Sequence, residues 1–282
     1  MNLNDRALLV QLAISQWTAR KYDKKATQEV AHSHGTTTAA GRYNKSLLPM
    51  NDYLDNVHAK AASIRNEYYT NTLPWGIDGT QMLPTANYLE FMTRFRTLKS
   101  EWESLVNEFL DNYDDLKDKA KRDLATLYNE GDYPHRSEIA KKFRMDMAVF
   151  PVPSKDFRVS ISGDELSRIQ QDVERRVTEA QGQAMREAWQ RLYDKVKHIA
   201  DKCADPKAIF RDSMIDNARD ICELLPRLNF ADDPNLEAMR QAVEQKLILH
   251  PEALRNNPEL RRDTAAEAKR IMDSMGVFMG GV

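Results

Sequence analysis

The chain has 282 residues, of which 41% are hydrophobic and 30% charged, and its formal net charge is −2. This near-neutral balance excludes a global positive field that would draw the whole protein onto nucleic acid or anionic lipid. Because no run approaches about 18 apolar residues and no basic N-terminal segment precedes an apolar one, we predict no membrane contact, no signal peptide and a cytoplasmic location, in the host cytoplasm if the protein is viral.

Alternating apolar residues near the N-terminus predict a strand, and they are Leu8, Val10, Leu12 and Ile14. The polar, basic stretch 18–45 that follows predicts a loop with one short helix around Lys24 to Ala31. A helix is predicted from about Pro49 to Tyr69, because apolar residues recur there at steps of three and four.

The strongest pattern in the chain is an apolar seam with alternating steps of three and four residues. Its members are Tyr88, Phe91, Phe95, Leu98, Trp102, Leu105, Phe109, Leu116, Leu124 and Leu127. The seam predicts one helix of roughly 40 residues, or about 60 Å. A second stripe from Leu166 to Cys203 repeats every eleven residues and predicts a nearly straight helix. We predict that the two helices pack as an antiparallel hairpin.

The predicted fold class is mostly α. It consists of a long antiparallel helical hairpin with a small antiparallel β-sheet at one end and a C-terminal set of shorter helices. The sheet would combine the N-terminal strand with two extended segments in 148–161. The shorter helices are predicted over about 206–225, 234–249 and 258–274. We divide the chain into residues 1–162, residues 163–273 and a tail of residues 274–282.

Two segments interleave cations with aromatic rings, the combination that single-stranded nucleic acid requires: cations meet phosphates and rings stack on bases. Residues 16–45 carry six Lys/Arg against two acids, and residues 134–162 carry six against three. The candidate binding residues of the first segment are Trp17, Arg20, Lys21, Tyr22, Lys24, Lys25, Arg42, Tyr43 and Lys45. Those of the second are Lys141, Lys142, Arg144, Lys155 and Arg158, beside Phe143 and Phe157.

Structural interpretations stay open beside the functional ones. Trp17 could anchor a core while the lysines keep a loop soluble. His32 and His34 could bind a metal, but no third ligand follows at a recognisable spacing, so we expect a solvated pair and no cofactor. Two cysteines, Cys203 and Cys222, are too few for a disulfide scaffold and predict free buried thiols.

The Met-rich C-terminus has two interpretations as well. Its residues Met272, Met275, Phe278 and Met279 recur at steps of three and four. This pattern is typical of the last turns of a helix that packs on a core. A tail that docks onto a partner protein is the alternative, since mobile methionines suit adaptable contacts.

Three stretches resemble an uncharacterised family of bacterial and phage proteins, a domain of unknown function whose genes often lie near MoxR-type AAA ATPases and von Willebrand A-domain proteins. They are Ile14-Ser-Gln-Trp17-Thr-Ala-Arg20-Lys21, then Leu73-Pro74-Trp75 with Leu83-Pro84 and Tyr88, then Tyr133-Pro134 with Phe143, Phe150-Pro-Val-Pro153 and Phe157-Arg158-Val159. The resemblance covers roughly residues 8–160 through scattered motifs.

The overall composition is also similar to single-stranded-DNA-binding RNA polymerase cofactors of lytic tailed phages, and no residue is carried over from that group. This similarity implies a non-enzymatic accessory protein that holds single-stranded DNA in phage transcription or replication. Its partners would be single-stranded DNA and a phage RNA polymerase or replication protein. An adaptor for a MoxR-type AAA ATPase is the alternative function, and homo-oligomer formation stays open.

Overall fold

The computed structural model describes residues 3–76, 79–154, 163–205 and 207–279. Its helices are α1 (Lys24–Ser33), α2 (Asp52–Asn71), α3 (Thr85–Asp111), α4 (Tyr113–Leu124), α5 (Arg136–Ala140), α6 (Gly163–Ala204), α7 (Asp212–Leu228), α8 (Pro234–Lys246), α9 (Pro251–Asn256) and α10 (Pro258–Met279). Its strands are β1 (Ala7–Ser15), β2 (Arg20–Tyr22), β3 (Asn44–Ser46), β4 (Leu73–Pro74), β5 (Thr80–Pro84) and β6 (Arg144–Pro151). The predicted mostly helical class, with a small antiparallel sheet and shorter C-terminal helices, is confirmed.

The larger sheet has the strand order β4-β5-β1-β6. Strand β1 pairs antiparallel with β5, so that Ala7 lies opposite Pro84 and Gln11 opposite Thr80. The predicted N-terminal strand is therefore present, and part of the predicted 148–161 segment belongs to β6. The sequence interpretation missed β4 and β5, because the two prolines in this stretch indicated a rigid connection rather than an edge of a sheet.

The chain divides into two compact units. Unit 1 consists of Met1–Gln11, Tyr68–Met92 and Ala148–Val282. Unit 2 consists of Leu12–Glu67 and Thr93–Met147. These boundaries differ from the division at residue 162 that the sequence suggested, since each unit draws on separate pieces of the chain.

The long predicted helix 166–203 is present as α6, and its main partner is α10. The Trp189 and Phe278 rings stack at 5.8 Å, while Arg261 near the start of α10 lies close enough to Cys203 to act on its pKa. The two helices are therefore antiparallel. The sequence had paired this helix with the 88–127 seam instead, and that seam forms two helices, α3 and α4, which meet at Asn112.

The apolar stripe of α6 explains this choice of partner. Its buried positions are Ala180, Ala184, Met185, Ala188, Trp189, Leu192, Val196, Ile199 and Cys203. The small alanine side chains allow α10 to approach closely. The Met-rich end of α10 packs there, and Met275 is fully buried. The interpretation of residues 272–279 as the last turns of a core-packing helix is the one that the structure supports.

Unit 2 contains the predicted α2 stripe of Leu54, Val57, Ala61 and Ile64, all buried. It also contains an aromatic group that we call the ring cluster: Trp17, Trp102, Phe109, Tyr113 and Phe143. The Phe109 ring is its centre, with centroid distances of 6.2 Å to Trp17, 6.1 Å to Tyr113 and 5.8 Å to Phe143. Such tilted and edge-to-face pairs are the favoured geometry of aromatic side chains.

Both cysteines are free and buried, as the sequence predicted. Burial raises the pKa of the Cys203 thiol to about 11 and that of Cys222 to about 12, because an apolar surrounding disfavours the thiolate. Neither thiol is reactive near neutral pH. Among the described helices, none is long and apolar enough to cross a membrane.

Candidate nucleic-acid interface

The basic stretch 18–45 forms an ordered β2–α1–β3 unit, where the sequence had predicted mainly a loop. Strands β2 and β3 are antiparallel, with Arg20 opposite Ser46, Lys21 opposite Lys45 and Tyr22 opposite Asn44. The short helix predicted around residues 24–31 is present as α1. Lys24 and Lys25 therefore lie in the first turn of a helix and not in a mobile segment.

Asp23 fixes the start of α1. Its backbone is extended, and its Oδ1 accepts the amide N–H of Ala26 at 3.0 Å, which is the usual N-cap geometry. Thr27 then joins the helix to the strand that returns: its hydroxyl donates to the Asp23 carbonyl at 2.7 Å and accepts the Tyr43 amide at 3.0 Å. These two hydrogen bonds hold Tyr43 beside the start of α1.

Lys45, a predicted DNA-binding residue, is buried, with 5% of its surface exposed. Its Nζ lies 3.1 Å from Asp23 Oδ2, 2.9 Å from Asp132 Oδ2 and 2.6 Å from the carbonyl oxygen of Leu127. We call Lys45, Asp23 and Asp132 the buried ion cluster. Because its three donors are engaged inside the protein, Lys45 supports the fold and is not in a position to contact phosphate.

The pKa values in the buried ion cluster reflect this pairing. Burial acts to lower the Lys45 pKa, but hydrogen bonds to Asp132 and Asp23 outweigh it and raise the pKa above its ordinary value. Burial acts to raise the Asp132 pKa, and hydrogen bonds from Lys21 and Lys45 outweigh it and lower that pKa. The Asp23 pKa is lowered chiefly by the Ala26 amide and then by Lys45. All three groups are charged at neutral pH.

Lys21 pairs with the same cluster, although its own side chain is 51% exposed. It lies directly across the ladder from Lys45, and like charges in that position repel. Asp132 relieves the repulsion, since its Oδ1 lies 2.8 Å from Lys21 Nζ while its Oδ2 binds Lys45. Asp132 is a functional neighbour that sequence reasoning missed, because 87 positions separate it from Lys45 and no spacing rule connects them.

Trp17 is buried, with 7% of its surface exposed, and packs in the ring cluster against Phe109 and Tyr113. His58 makes a hydrogen bond to the Trp17 carbonyl oxygen at 3.0 Å. A nucleic-acid base could not stack on the Trp17 ring in this conformation. The interpretation of Trp17 as a core anchor is therefore the one that the geometry supports.

The exposed candidates of the first segment that do not pair with the buried ion cluster form what we call the outer face: Arg20, Tyr22, Lys24, Lys25, Arg42 and Tyr43. Side chains alternate along a strand, so Arg20 and Tyr22 point away from the side of Lys21 that meets Asp132. The Arg42 guanidinium lies over the Tyr22 ring, 5.8 Å from its centroid. Tyr22 and Tyr43 are 45% and 40% exposed, respectively.

An open cleft of about 320 Å³ adjoins the outer face. Its lining comprises Thr27, Val30, Ala31, His34, Thr36, Thr37, Ala40, Gly41, Arg42 and Tyr43. The floor is apolar, and the rim carries hydroxyl groups, one imidazole and one guanidinium. His34 contributes to this cleft, whereas His32 is simply exposed on α1. In the described part of the chain, no group of three or more His, Cys, Asp or Glu could hold a metal ion.

The second predicted segment likewise combines a buried aromatic ring with exposed cations. Phe143 is buried in the ring cluster, 6.3 Å from Trp102 and 5.8 Å from Phe109, while Lys141, Lys142 and Arg144 are exposed around it. Trp17 also packs on Phe109. The Phe109 ring therefore holds both the chain just before the outer face and the chain around Phe143, beside the second group of cations. Lys155 and Arg158, with Phe157, lie outside the described residues.

Comparisons with protein-family models, curated proteins and solved structures find no match to this chain, so the resemblances described above stay predictions.

Proposed function

We propose that this protein is a non-enzymatic accessory protein that binds single-stranded DNA through its outer face, in phage transcription or replication. The observation that carries the proposal is the combination of two half-exposed tyrosine rings with four exposed cations on one β2–α1–β3 unit. Single-strand binding needs this combination, because every base offers a ring face and every nucleotide a phosphate. Lys141, Lys142 and Arg144 are the cations that would extend the path.

The charge state of the outer face supports the proposal. Within the described residues, neither Arg20, Lys24 nor Arg42 forms an ion pair with a carboxylate, whereas Lys21 and Lys45 both pair with Asp132. Cations without a carboxylate partner remain available to phosphate oxygens, and each contact releases counterions. The segment therefore has one set of cations paired with Asp132 and another set that faces solvent without such a partner.

The Arg42–Tyr22 pair favours a single strand over a duplex. A guanidinium held over a ring presents a flat surface on which an unpaired base can stack, and such stacking contributes about 1–3 kcal/mol per base. Bases in a duplex stack on each other and do not offer that face. The adjoining cleft, with its apolar floor and polar rim, has the chemistry to accept one unstacked base.

Fluorescence anisotropy of a labelled oligo-dT strand and of a matching duplex, each at two salt concentrations, tests the proposal. We expect tighter binding of the single strand and a steep fall in affinity as salt rises. The informative variant is Arg20→Glu/Lys24→Glu/Lys25→Glu, which leaves Lys21 and Lys45 in their ion pairs. We expect at least tenfold weaker binding and a smaller salt slope, since each lost phosphate contact removes about 0.7 units of that slope on a single strand.

The matched control is Lys197→Glu/Lys207→Glu/Lys269→Glu, which makes the same change in net charge at exposed residues of unit 1. It should bind DNA almost as well as the wild type. If both triple variants bound DNA equally weakly, the change in net charge alone would explain the loss of affinity. Undiminished binding by the outer-face variant would exclude this face, and the adaptor function for an AAA ATPase would become the one to test.

The rings are tested separately with Tyr22→Ala and Tyr43→Ala. Stacking releases few ions, so these variants should lose affinity by about 1–3 kcal/mol per base contact with little change in the salt slope. Both tyrosines are about half exposed, and melting temperatures should stay within a few degrees of the wild type. A reduced salt slope with unchanged affinity at low salt would contradict the stacking role.

A further inference from the structure

The N-terminal part of α6 differs from the rest of that helix. From residue 180 onward the helix is buried on one side, whereas none of residues 163–179, which we call the α6 arm, is buried. The arm nevertheless continues the apolar stripe through Leu166, Ile169 and Val173. Within the described residues, no side chain buries this part of the stripe, whereas the part from Ala180 onward is buried.

Open space lies over the inner end of this stripe. Val173 and Val177 form one wall of a cleft of about 340 Å³, and Trp75 and Pro153 of unit 1 form part of the other. The cleft is lined mainly by apolar side chains with arginines at its edge. It has the size and chemistry to accept a leucine or isoleucine side chain from another helix.

The charges beside the stripe are arranged symmetrically about Gln170. Taking 100° per residue, Glu165 and Arg176 lie on the same edge of the stripe, whereas Arg168 lies nearly opposite the stripe. Glu165 and Arg176 are five and six positions from Gln170. Acid on one side of the centre therefore corresponds to base on the other.

We infer that two copies of this chain associate through antiparallel pairing of their α6 arms, centred near Gln170. Two-fold symmetry brings equivalent edges together in such a pair. Glu165 then meets Arg176 of the second copy, and this contact occurs twice. In the same register, Leu166 of the second copy lies opposite residues 174 and 175, between Val173 and Val177 of the open cleft.

The ion pairs within the arm do not oppose this association. Arg176 is paired with Asp172, and Arg168 with Glu165, but all four side chains are largely exposed. Exposed pairs of this kind contribute about 0–1 kcal/mol, so they exchange readily for pairs between copies. Two paired helices of 17 residues bury less surface than the about 800 Å² per partner of a standard interface. We therefore expect a reversible dimer.

Sedimentation velocity of the full chain, from low micromolar to near-millimolar concentration and without DNA, tests the inference. The wild type should shift from monomer to dimer as concentration rises. Ile169→Glu should remain monomeric at every concentration, because it buries a carboxylate in the stripe. Gln171→Glu, on the opposite side of the helix, is the matched control and should dimerise like the wild type. Circular dichroism should give all three the same melting temperature, because no arm residue is buried.

A charge exchange tests the antiparallel register. Arg176→Glu places like charges against Glu165 of the second copy and should weaken the dimer by about tenfold. The double variant Glu165→Arg/Arg176→Glu restores opposite charges only in an antiparallel pair, so dimerisation should recover. A wild type that stays monomeric, a dimer that survives Ile169→Glu, or a double variant without recovery would each overturn the inference. The DNA titration plays no part in these measurements, so either proposal can fail alone.

Discussion

The interiors of the two units are built on different principles. Unit 1 buries one continuous set of mainly aliphatic side chains, in which Leu192, Val196 and Ile199 of α6 are fully buried. Unit 2 combines its ring cluster with a lysine and two carboxylates held away from solvent. Aliphatic packing depends on area and shape, whereas buried charges require named partners at fixed distances. The two units should therefore respond differently to substitution and to pH.

The largest expected effect is that of Lys45→Met in unit 2. The substitution keeps the length of the side chain and leaves Asp23 and Asp132 without their shared cation. Removing one partner of a fully buried ion pair costs up to about 3–5 kcal/mol, and here Asp132 keeps Lys21 while Asp23 keeps no cation. Urea unfolding measures this loss. The control Arg20→Met, on the exposed side of the same ladder, should change stability by no more than about 0.5 kcal/mol.

Leu192→Ala makes the corresponding test in unit 1. Leu192 is fully buried, and truncation of such a leucine costs about 2–5 kcal/mol through lost transfer free energy and the cavity left behind. Leu192→Met should cost less than about 1.5 kcal/mol, since it nearly conserves volume. If Lys45→Arg in unit 2 were as well tolerated as Leu192→Met in unit 1, the distinction between the two interiors would fail.

The two units should also differ in how their stability responds to acid, and this effect should be smaller than that of the core substitutions. The Asp23 and Asp132 pKa values are lower in the folded chain than the ordinary value of 3.8. Their contribution to stability is therefore present above about pH 4 and is lost as pH falls through the folded pKa. Asp132→Asn should melt below the wild type at pH 7, and this gap should narrow as the pH falls from about 4 towards 2. A gap that stays constant between those pH values would contradict the assignment.

The smallest expected effect concerns the helix cap in unit 1. Asp233 caps α8 by accepting the Asn235 amide at 2.9 Å, and its other oxygen accepts the Trp189 indole N–H at 3.0 Å. Asp233→Ala should cost about 1 kcal/mol for the cap, with some addition for the unpaired indole. Thermal unfolding measures it. Asn235→Ala, an exposed residue in the first turn of α8 that keeps its backbone amide, is the control.

The sequence predicted those parts of the fold that depend on periodicity. The stripes of α2 and α6 and the alternation in β1 report directly on which side of an element is buried. Periodicity does not name a partner, which is why α6 was matched with the 88–127 seam while its stripe of alanines and Trp189 packs against α10. It also did not reveal the interruption at Asn112, because a seam can continue across two successive helices.

The candidate site was predicted as a set of residue types and not as an arrangement. The sequence singled out the 16–45 segment, but it treated Trp17, Lys21 and Lys45 like Arg20 and Tyr22. What separates them is the strand register and the position of Asp132, and both arise from long-range contacts. One local signal was available: Asp23 is an N-cap residue directly before the helix-favouring stretch that starts at Lys24, and it predicts an ordered segment.

The interleaving of the two units along the chain has a consequence for biosynthesis. Every residue of unit 2 has been made once residue 147 has left the ribosome, whereas the core of unit 1 joins Ala7, Leu9 and Met82 to helices that begin at residue 163 and beyond. These early apolar residues must remain uncovered until α6 and α10 emerge. Chains in that condition are the ones that chaperones bind and that aggregate when chaperones are scarce. Expression yield of this protein should therefore depend on how quickly residues 163–279 are translated.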